Sequence, residues 1–210
     1  MISHKYKCIF VEVPKTASTS IRSILGFPEK PHLDIKEIEA EFKNSLSYDG
    51  KVKSLYYSFL NHTSKQVIGT RLYKKYFKFG FVRNPWCRTV SLYHRKQGIM
   101  MADKMTFEEF VDWINYSSDT CIHPSPKKNQ LDWFLDENGN VAVDFIGKFE
   151  RLQKDWQFIA NKLRIETGIP HLNNNGSGRR HYTEYYNEET KAVIAEKFRI
   201  DIEYFGYKFG

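Results

Sequence analysis

Lys15, Ser18, Thr19 and Ser20 fall within one short stretch, 14-PKTASTSI-21. One cation and three hydroxyls so close together can hold a phosphate-type anion, the lysine by charge and the hydroxyls by donated hydrogen bonds. A second set stands in 83-RNPWCRTVSLYHR-95, where Ser91 follows Arg83 by eight residues. A guanidinium fork and a hydroxyl could together take another phosphate. Both sets also have ordinary explanations: serine and threonine are common helix N-caps, Arg83 could serve a surface ion pair, and Ser91 could face its own helix. No glycine lies between Pro14 and Ile21, and the lysine precedes the hydroxyls. The pattern GxxxxGK[ST] of ATP and GTP hydrolases is therefore absent, which argues against that chemistry and not against phosphate binding.

The elements that must carry these residues can be read on either side of them. Residues 7 to 13, KCIFVEV, form a short apolar run suited to a central strand, broken at Pro14. Ile21, Ile24 and Leu25 then share one helical face. The run 77-FKFGFVR-83 predicts a second strand, stopped by Asn84-Pro85, and Trp86, Val90 and Tyr93 predict the helix after it. Each polar set thus lies where a strand passes into a helix. There the first helical amides lack intrahelical partners and the helix dipole favours an anion.

Elsewhere the spacing predicts helices over 34 to 43, over 106 to 116 behind a Thr106/Glu109 capping box, over 150 to 165 and over 188 to 199. Asn138-Gly139 predicts a hairpin turn between LDWFL and VAVDF, and 144-DFIGKF-149 a further strand. Residues 117 to 130 and 173-NNNGSGRR-180 read as loops, the second a candidate lip over a site. Alternating strands and helices imply an α/β fold with a mainly parallel central sheet flanked by helices, binding its ligand beyond the strands' carboxyl ends.

The composition is compatible with that design. In 210 residues, 41% hydrophobic, lysine and arginine outnumber acids 32 to 25, a formal charge of +7. That length and apolar content fit one domain, residues 1 to 210, and the charge favours an anionic ligand. The excess is scattered in pairs such as Lys74-Lys75 and Lys127-Lys128, without aromatics interleaved along a strand pair, so a nucleic-acid partner is not expected. Cys8, Cys87 and Cys121 form neither a CxxC pair nor an even framework, which fits a reduced, cytoplasmic setting. No stretch of about 18 apolar residues suggests a membrane span. Trp86, Tyr93, Trp113, Trp133 and Trp156 are read as core and not as a sugar-stacking surface. Cys87, beside Arg88 near a helix start, lacks a paired base and is read as structural.

Taken together, VPKTASTS and FVRNPWCRTVSLY resemble the two cofactor signatures of sulfotransferases that use 3′-phosphoadenosine 5′-phosphosulfate. The chain is similar to the carbohydrate sulfotransferases that include heparan sulfate 2-O-sulfotransferase and short bacterial relatives. The likeness extends through 62-HTSKQVIGTRLYKKYFKFGFVRNPW-86, 144-DFIGKFERLQKDW-156 and the closing 181 to 209.

The resemblance implies a P-loop NTPase-like sulfotransferase fold. It implies a first site of Lys15, Thr16, Ala17, Ser18, Thr19 and Ser20 for the 5′-phosphosulfate, and a second of Arg83 and Ser91 for the 3′-phosphate. Lys15 would neutralise charge on the bridging oxygen and sulfuryl group without a metal. His62 matches the position of the family's catalytic histidine, and an imidazole suits proton abstraction near neutrality. His94, His123, His171 and His181 compete for that role, as does Glu12, which could instead be a partner for Lys15. Arg179 and Arg180, in the lip, are further cofactor or acceptor contacts. The acceptor implied is a hydroxyl of a carbohydrate or glycoconjugate. Two alternatives stay open: a nucleotide kinase, marked by magnesium-dependent ATP binding, and a non-catalytic nucleotide-binding protein, in which His62 would be dispensable.

Overall fold

The computed structural model describes residues 1–27, 32–45, 62–94, 103–116, 129–169 and 180–210, with the side chains of 44–45, 62–68 and 115–116 outside the description. The sheet has the order β1 (Ile2–Ser3), β2 (Cys8–Val11), β3 (Phe77–Val82), β4 (Phe145–Lys148). β1 is antiparallel to β2, while β2, β3 and β4 run parallel, with Cys8 opposite Phe77 and Phe79 opposite Phe145. Alternation along β2 sends Ile9 and Val11 into one core and Cys8 and Phe10 into the other. A strand covered on both faces needs apolar residues at every position, which is why CIFV reads as an unbroken run.

The helices in chain order are α1 (Ser18–Leu25), α2 (Ile35–Ser45), α3 (His62–Lys75), α4 (Pro85–Tyr93), α5 (Phe107–Tyr116), α6 (Leu152–Leu163), α7 (Glu188–Lys197) and α8 (Arg199–Phe205). Ile21 and Leu25 of α1 and Trp156 and Ile159 of α6 fill one core. Ile38 and Phe42 of α2, Trp86 and Val90 of α4 and Phe110 of α5 fill the other. Among the described residues no helix is long and apolar enough to cross a membrane.

Three expectations need adjustment. Asn138-Gly139 does form a turn, with Gly139 at φ 80° and Asp136 accepting from the Asn138 and Asn140 amides, yet the ladder is a single bridge, Leu135 to Val141. The expected first strand is instead a 3₁₀ turn, Leu131–Phe134, because Trp133 and Phe134 are drawn into the core. The last helix breaks at the buried Phe198 into α7 and α8. β1 is too short to carry a sequence signal. The expected loops at 117 to 130 and 173 to 180 lie largely outside the described residues.

Candidate active site

The three parallel strands bring their carboxyl ends to one edge, so the segments after β2, β3 and β4 meet there. The first of them is strained. Lys15 (φ 70°) and Ala17 (φ 72°, ψ 20°) are left-handed, two of the four non-glycine residues with positive φ among the described residues. Each costs roughly 1–2 kcal/mol, a strain typical of sites that hold a ligand. Ala17 is the N-cap of α1, offers no side-chain bond, and is followed by no acid in the first turn. The Ser20 and Ile21 amides turn back to the Ala17 carbonyl at 3.1 and 3.3 Å, while those of Ser18 and Thr19 precede the first intrahelical bond.

The hydroxyls of this loop divide. Thr16 is fully buried and its Oγ1 donates to the Val13 carbonyl at 2.8 Å. Ser18 and Ser20 are buried, Lys15 is partly exposed and Thr19 is exposed. The N-cap reading of these serines and threonines therefore fails at the cap itself, which is an alanine.

The second segment is held rigidly. Asn84 Oδ1 accepts from the Trp86 and Cys87 amides at 3.1 and 3.3 Å and starts α4 at Pro85. Arg83 pairs through its backbone with the side-chain amide of the buried Gln130: its N–H donates to Oε1 at 2.9 Å and its carbonyl accepts from Nε2 at 2.8 Å. Asp201, also buried, accepts from the Gln130 and Leu131 amides and so fixes that support.

The Arg83 guanidinium lies over the Phe149 ring, 4.0 Å from its centre. It donates through Nε and Nη2 to Cys87 Sγ and through Nη1 to the Lys15 carbonyl, at 3.3 Å. Three of its five N–H groups are thereby used within the protein. Ser91, partly exposed, is four residues beyond Cys87 and shares its face of α4. The two predicted sets are thus joined by a direct bond.

Arg88 reinforces the junction and was not singled out by the sequence. Only 3% exposed, it donates through Nε to the Pro14 carbonyl at 3.0 Å. Burial pushes its pKa down to about 10 against the pull of Asp201, so it stays charged at neutral pH. No spacing signal marks Arg88, Gln130 or Asp201, whose roles arise from contacts between distant segments.

The histidines separate as follows. His62 begins α3, and its side chain lies outside the described residues, as do His123, His171 and Arg179. His94 meets the Tyr185 hydroxyl at 3.0 Å, and His181 meets Thr183 Oγ1 at 2.7 Å. Arg180 stacks on the same Tyr185, 4.1 Å from its ring centre, and so stands near the α4 end that carries Ser91.

His32, absent from the predicted set, places Nδ1 3.0 Å from the Glu12 carbonyl oxygen. A carbonyl only accepts, so Nδ1 is the donor of this contact. Glu12 is 2% exposed and faces Arg22 at 3.6 Å as well as His32 at 3.8 Å. Trp86, Tyr93, Trp133 and Trp156 are buried and Trp113 partly so, as a core role requires.

A model of the sulfotransferase family matches residues 1–208. The chain belongs to that family. Its fold is accordingly the P-loop-like α/β fold, with helices on both faces of a mostly parallel sheet. The chain is 22% identical over 242 residues to carbohydrate sulfotransferase 11 of Rattus norvegicus, an alignment covering 99% of this chain and 66% of the relative. It is 25% identical to carbohydrate sulfotransferase 14 of Danio rerio, over 78% of this chain and 47% of the relative. An uncharacterised protein of Archaeoglobus fulgidus is 31% identical over 100 residues, 47% of this chain and 76% of that one. The sulfotransferase chain thus spans just under two thirds of one named relative and about half of the other. No solved structure matches it significantly.

Proposed function

We propose that the protein transfers the sulfuryl group of 3′-phosphoadenosine 5′-phosphosulfate to a hydroxyl of a carbohydrate or glycoconjugate, with residues 1 to 210 acting as one sulfotransferase domain. The observation that carries this reading is the bond from Arg83 Nη1 to the Lys15 carbonyl, which joins two loops each suited to an anion. A donor with phosphates at its 5′ and 3′ positions needs two such sites at a fixed separation. The residues fit it: free helix-start amides and a lysine on one side, and on the other a guanidinium with N–H groups to spare beside a partly exposed serine.

In this reading Lys15, Thr16, Ala17, Ser18, Thr19 and Ser20 hold the 5′-phosphosulfate, Thr16 through its amide since its hydroxyl is committed to Val13. Arg83 and Ser91 hold the 3′-phosphate, and Arg179 and Arg180 approach from the lip. His62 accepts the proton as the acceptor oxygen bonds to sulfur and the bond from sulfur to the bridging oxygen breaks. Lys15 stabilises the negative charge that collects on that oxygen, so magnesium is not needed for the transfer. A cytoplasmic setting is supported by Cys8 and Cys87, which are both free thiols.

Calorimetric titration with 3′-phosphoadenosine 5′-phosphate, without magnesium, tests the reading. Wild type should bind it, and Arg83→Ala should bind about 1.5–3 kcal/mol more weakly, the loss expected for a charged hydrogen bond. Transfer of labelled sulfate to a panel of unsulfated glycosaminoglycans then tests the acceptor class. Binding of ATP with magnesium, and none of the bisphosphate, would replace the sulfotransferase assignment by a kinase one.

A further inference from the structure

Three successive carbonyls at the end of β2 are each claimed by a donor. Val13 accepts from Thr16 Oγ1 at 2.8 Å, Pro14 from Arg88 Nε at 3.0 Å and Lys15 from Arg83 Nη1 at 3.3 Å. The described residues contain no cis peptide, and in a trans peptide the carbonyl and the following N–H point in opposite directions. Turning the Pro14 carbonyl to Arg88 therefore aims the Lys15 amide the other way. Arg88 is buried among the core residues of α4, so that other way is toward the partly exposed side of the loop. The Lys15 carbonyl is drawn to Arg83, so the amide of the buried Thr16 points away from that guanidinium.

The two arginines differ in one respect. Arg83 is partly exposed and can meet a ligand itself, whereas Arg88 cannot. A buried guanidinium is costly even with Asp201 nearby, and its hydrogen bond goes to a loop carbonyl and not to a carboxylate. Stability alone is a poor reason to place it there. The left-handed Lys15 needs some outside constraint to hold its conformation, and the Pro14 carbonyl is the point at which α4 can supply it.

We propose that Arg88 is a positioning residue for the 5′ side of the donor site: lying in the second signature by sequence, it aims the Lys15 amide of the first loop at the 5′-phosphosulfate. The inference rests on the donor assignment above and adds a division of labour to it. Arg83 serves the 3′-phosphate directly and Arg88 serves the 5′-phosphosulfate through Pro14. Its buried positive charge also stands behind the loop, where it raises the potential felt by an anion.

The division can be measured with ligands that carry one end only. Adenosine 5′-phosphosulfate and adenosine 3′-monophosphate would be titrated against wild type, Arg88→Met and Arg88→Lys. Arg88→Met should weaken the 5′ ligand by about tenfold or more, the loss of an aligned charge-assisted hydrogen bond. The 3′ ligand should change by no more than about twofold, because Arg83 keeps its own contacts to Cys87 and Gln130. Arg88→Lys keeps a charged donor within reach of Pro14 and should recover part of the 5′ affinity.

Equal weakening of both ligands, or none of the 5′ ligand, would overturn the proposal. Should Arg88→Met fail to fold, the same split is read in Arg88→Lys at smaller size. The amide resonance of Lys15 in the wild type gives an independent check, since it should shift on addition of 3′-phosphoadenosine 5′-phosphate and a static one would also overturn the proposal. If wild type binds none of these ligands, the donor assignment itself fails. If it binds them and Arg88 variants show no split, only the role of Arg88 fails.

Discussion

Arg83 and Cys87 are joined by two contacts, Nε to Sγ at 3.3 Å and Nη2 to Sγ at 3.0 Å. The thiol stands one helical turn past the arginine, between it and Ser91, so the guanidinium is held against α4 on the face that Ser91 shares. The structural role expected of Cys87 thus takes a specific form, the anchoring of Arg83.

Alkylation should therefore act on donor binding. An acetamide group on Cys87 would occupy the space between Arg83 and Ser91, and affinity for 3′-phosphoadenosine 5′-phosphate should fall about tenfold or more, as when a charged hydrogen bond is lost. Prior addition of that ligand should protect Cys87. Cys8 should stay unmodified under the same conditions, since it is fully buried and burial pushes its thiol up to about 12. Mass spectrometry of labelled peptides, paired with calorimetry, reads both. Unchanged affinity after complete labelling of Cys87 would show that the thiol does not govern Arg83.

How much of this was legible beforehand depended on distance along the chain. Local signals sufficed for β2, β3, β4 and the helices α1 and α4, because alternation, Pro14 and Asn84-Pro85 act within a few residues. The Thr106/Glu109 box formed as written, with both reciprocal bonds made, at 2.7 and 3.2 Å. The two loops proposed to hold anions were marked the same way. What could not be read was the scaffold between them: Gln130 reaching Arg83 across 47 positions, Asp201 reaching Gln130 across 71, and Arg88 reaching Pro14 across 74. None of these pairs has a periodicity. The LDWF segment misled for a related reason, since its β-type composition was overridden by burial of Trp133 and Phe134.

Gly80 shows how closely that scaffold is packed. A methyl group built there would run into the Phe134 ring and would stand 2.8 Å from the Val11 carbonyl oxygen. Gly80→Ala should destabilise the protein by about 1–3 kcal/mol, the usual cost of overpacking a filled core. Urea unfolding should show a lower midpoint at an unchanged slope. Because Phe134 belongs to the turn that follows Gln130, donor binding should weaken as well. A variant as stable as wild type would mean that Phe134 moves aside freely.

Alkaline stability should carry the mark of Cys8. Its thiol is raised from an ordinary 9.0 to about 12 in the folded state, chiefly by burial. Between those values the folded chain keeps a proton that the unfolded chain releases, so stability is fully present below pH 9 and falls as pH rises. The slope from this group approaches about 1.4 kcal/mol per pH unit. Cys8→Ala should be less stable at neutral pH because of the volume removed, yet should lose stability less steeply from about pH 9 to about pH 10.5. Parallel curves for the two proteins, from chemical unfolding at each pH, would remove Cys8 from the account.

The proton of the acceptor hydroxyl can be followed through two imidazoles. His62, at the start of α3, is proposed as the base, while His32 is tied to the Glu12 carbonyl through Nδ1. With an unsulfated glycosaminoglycan that the wild type sulfates, His62→Asn should lower kcat by about 10²–10⁴, the range for a lost general base. Affinity for 3′-phosphoadenosine 5′-phosphate should be unchanged, because the base touches the acceptor and not the phosphates. His32→Asn should cost far less, since an asparagine amide can still donate to the Glu12 carbonyl. The wild-type kcat should rise through about pH 6–7 as an imidazole loses its proton, and this limb should vanish in His62→Asn. The reverse pattern, with the limb and the rate lost in His32→Asn, would move the role of base to the imidazole held by Glu12.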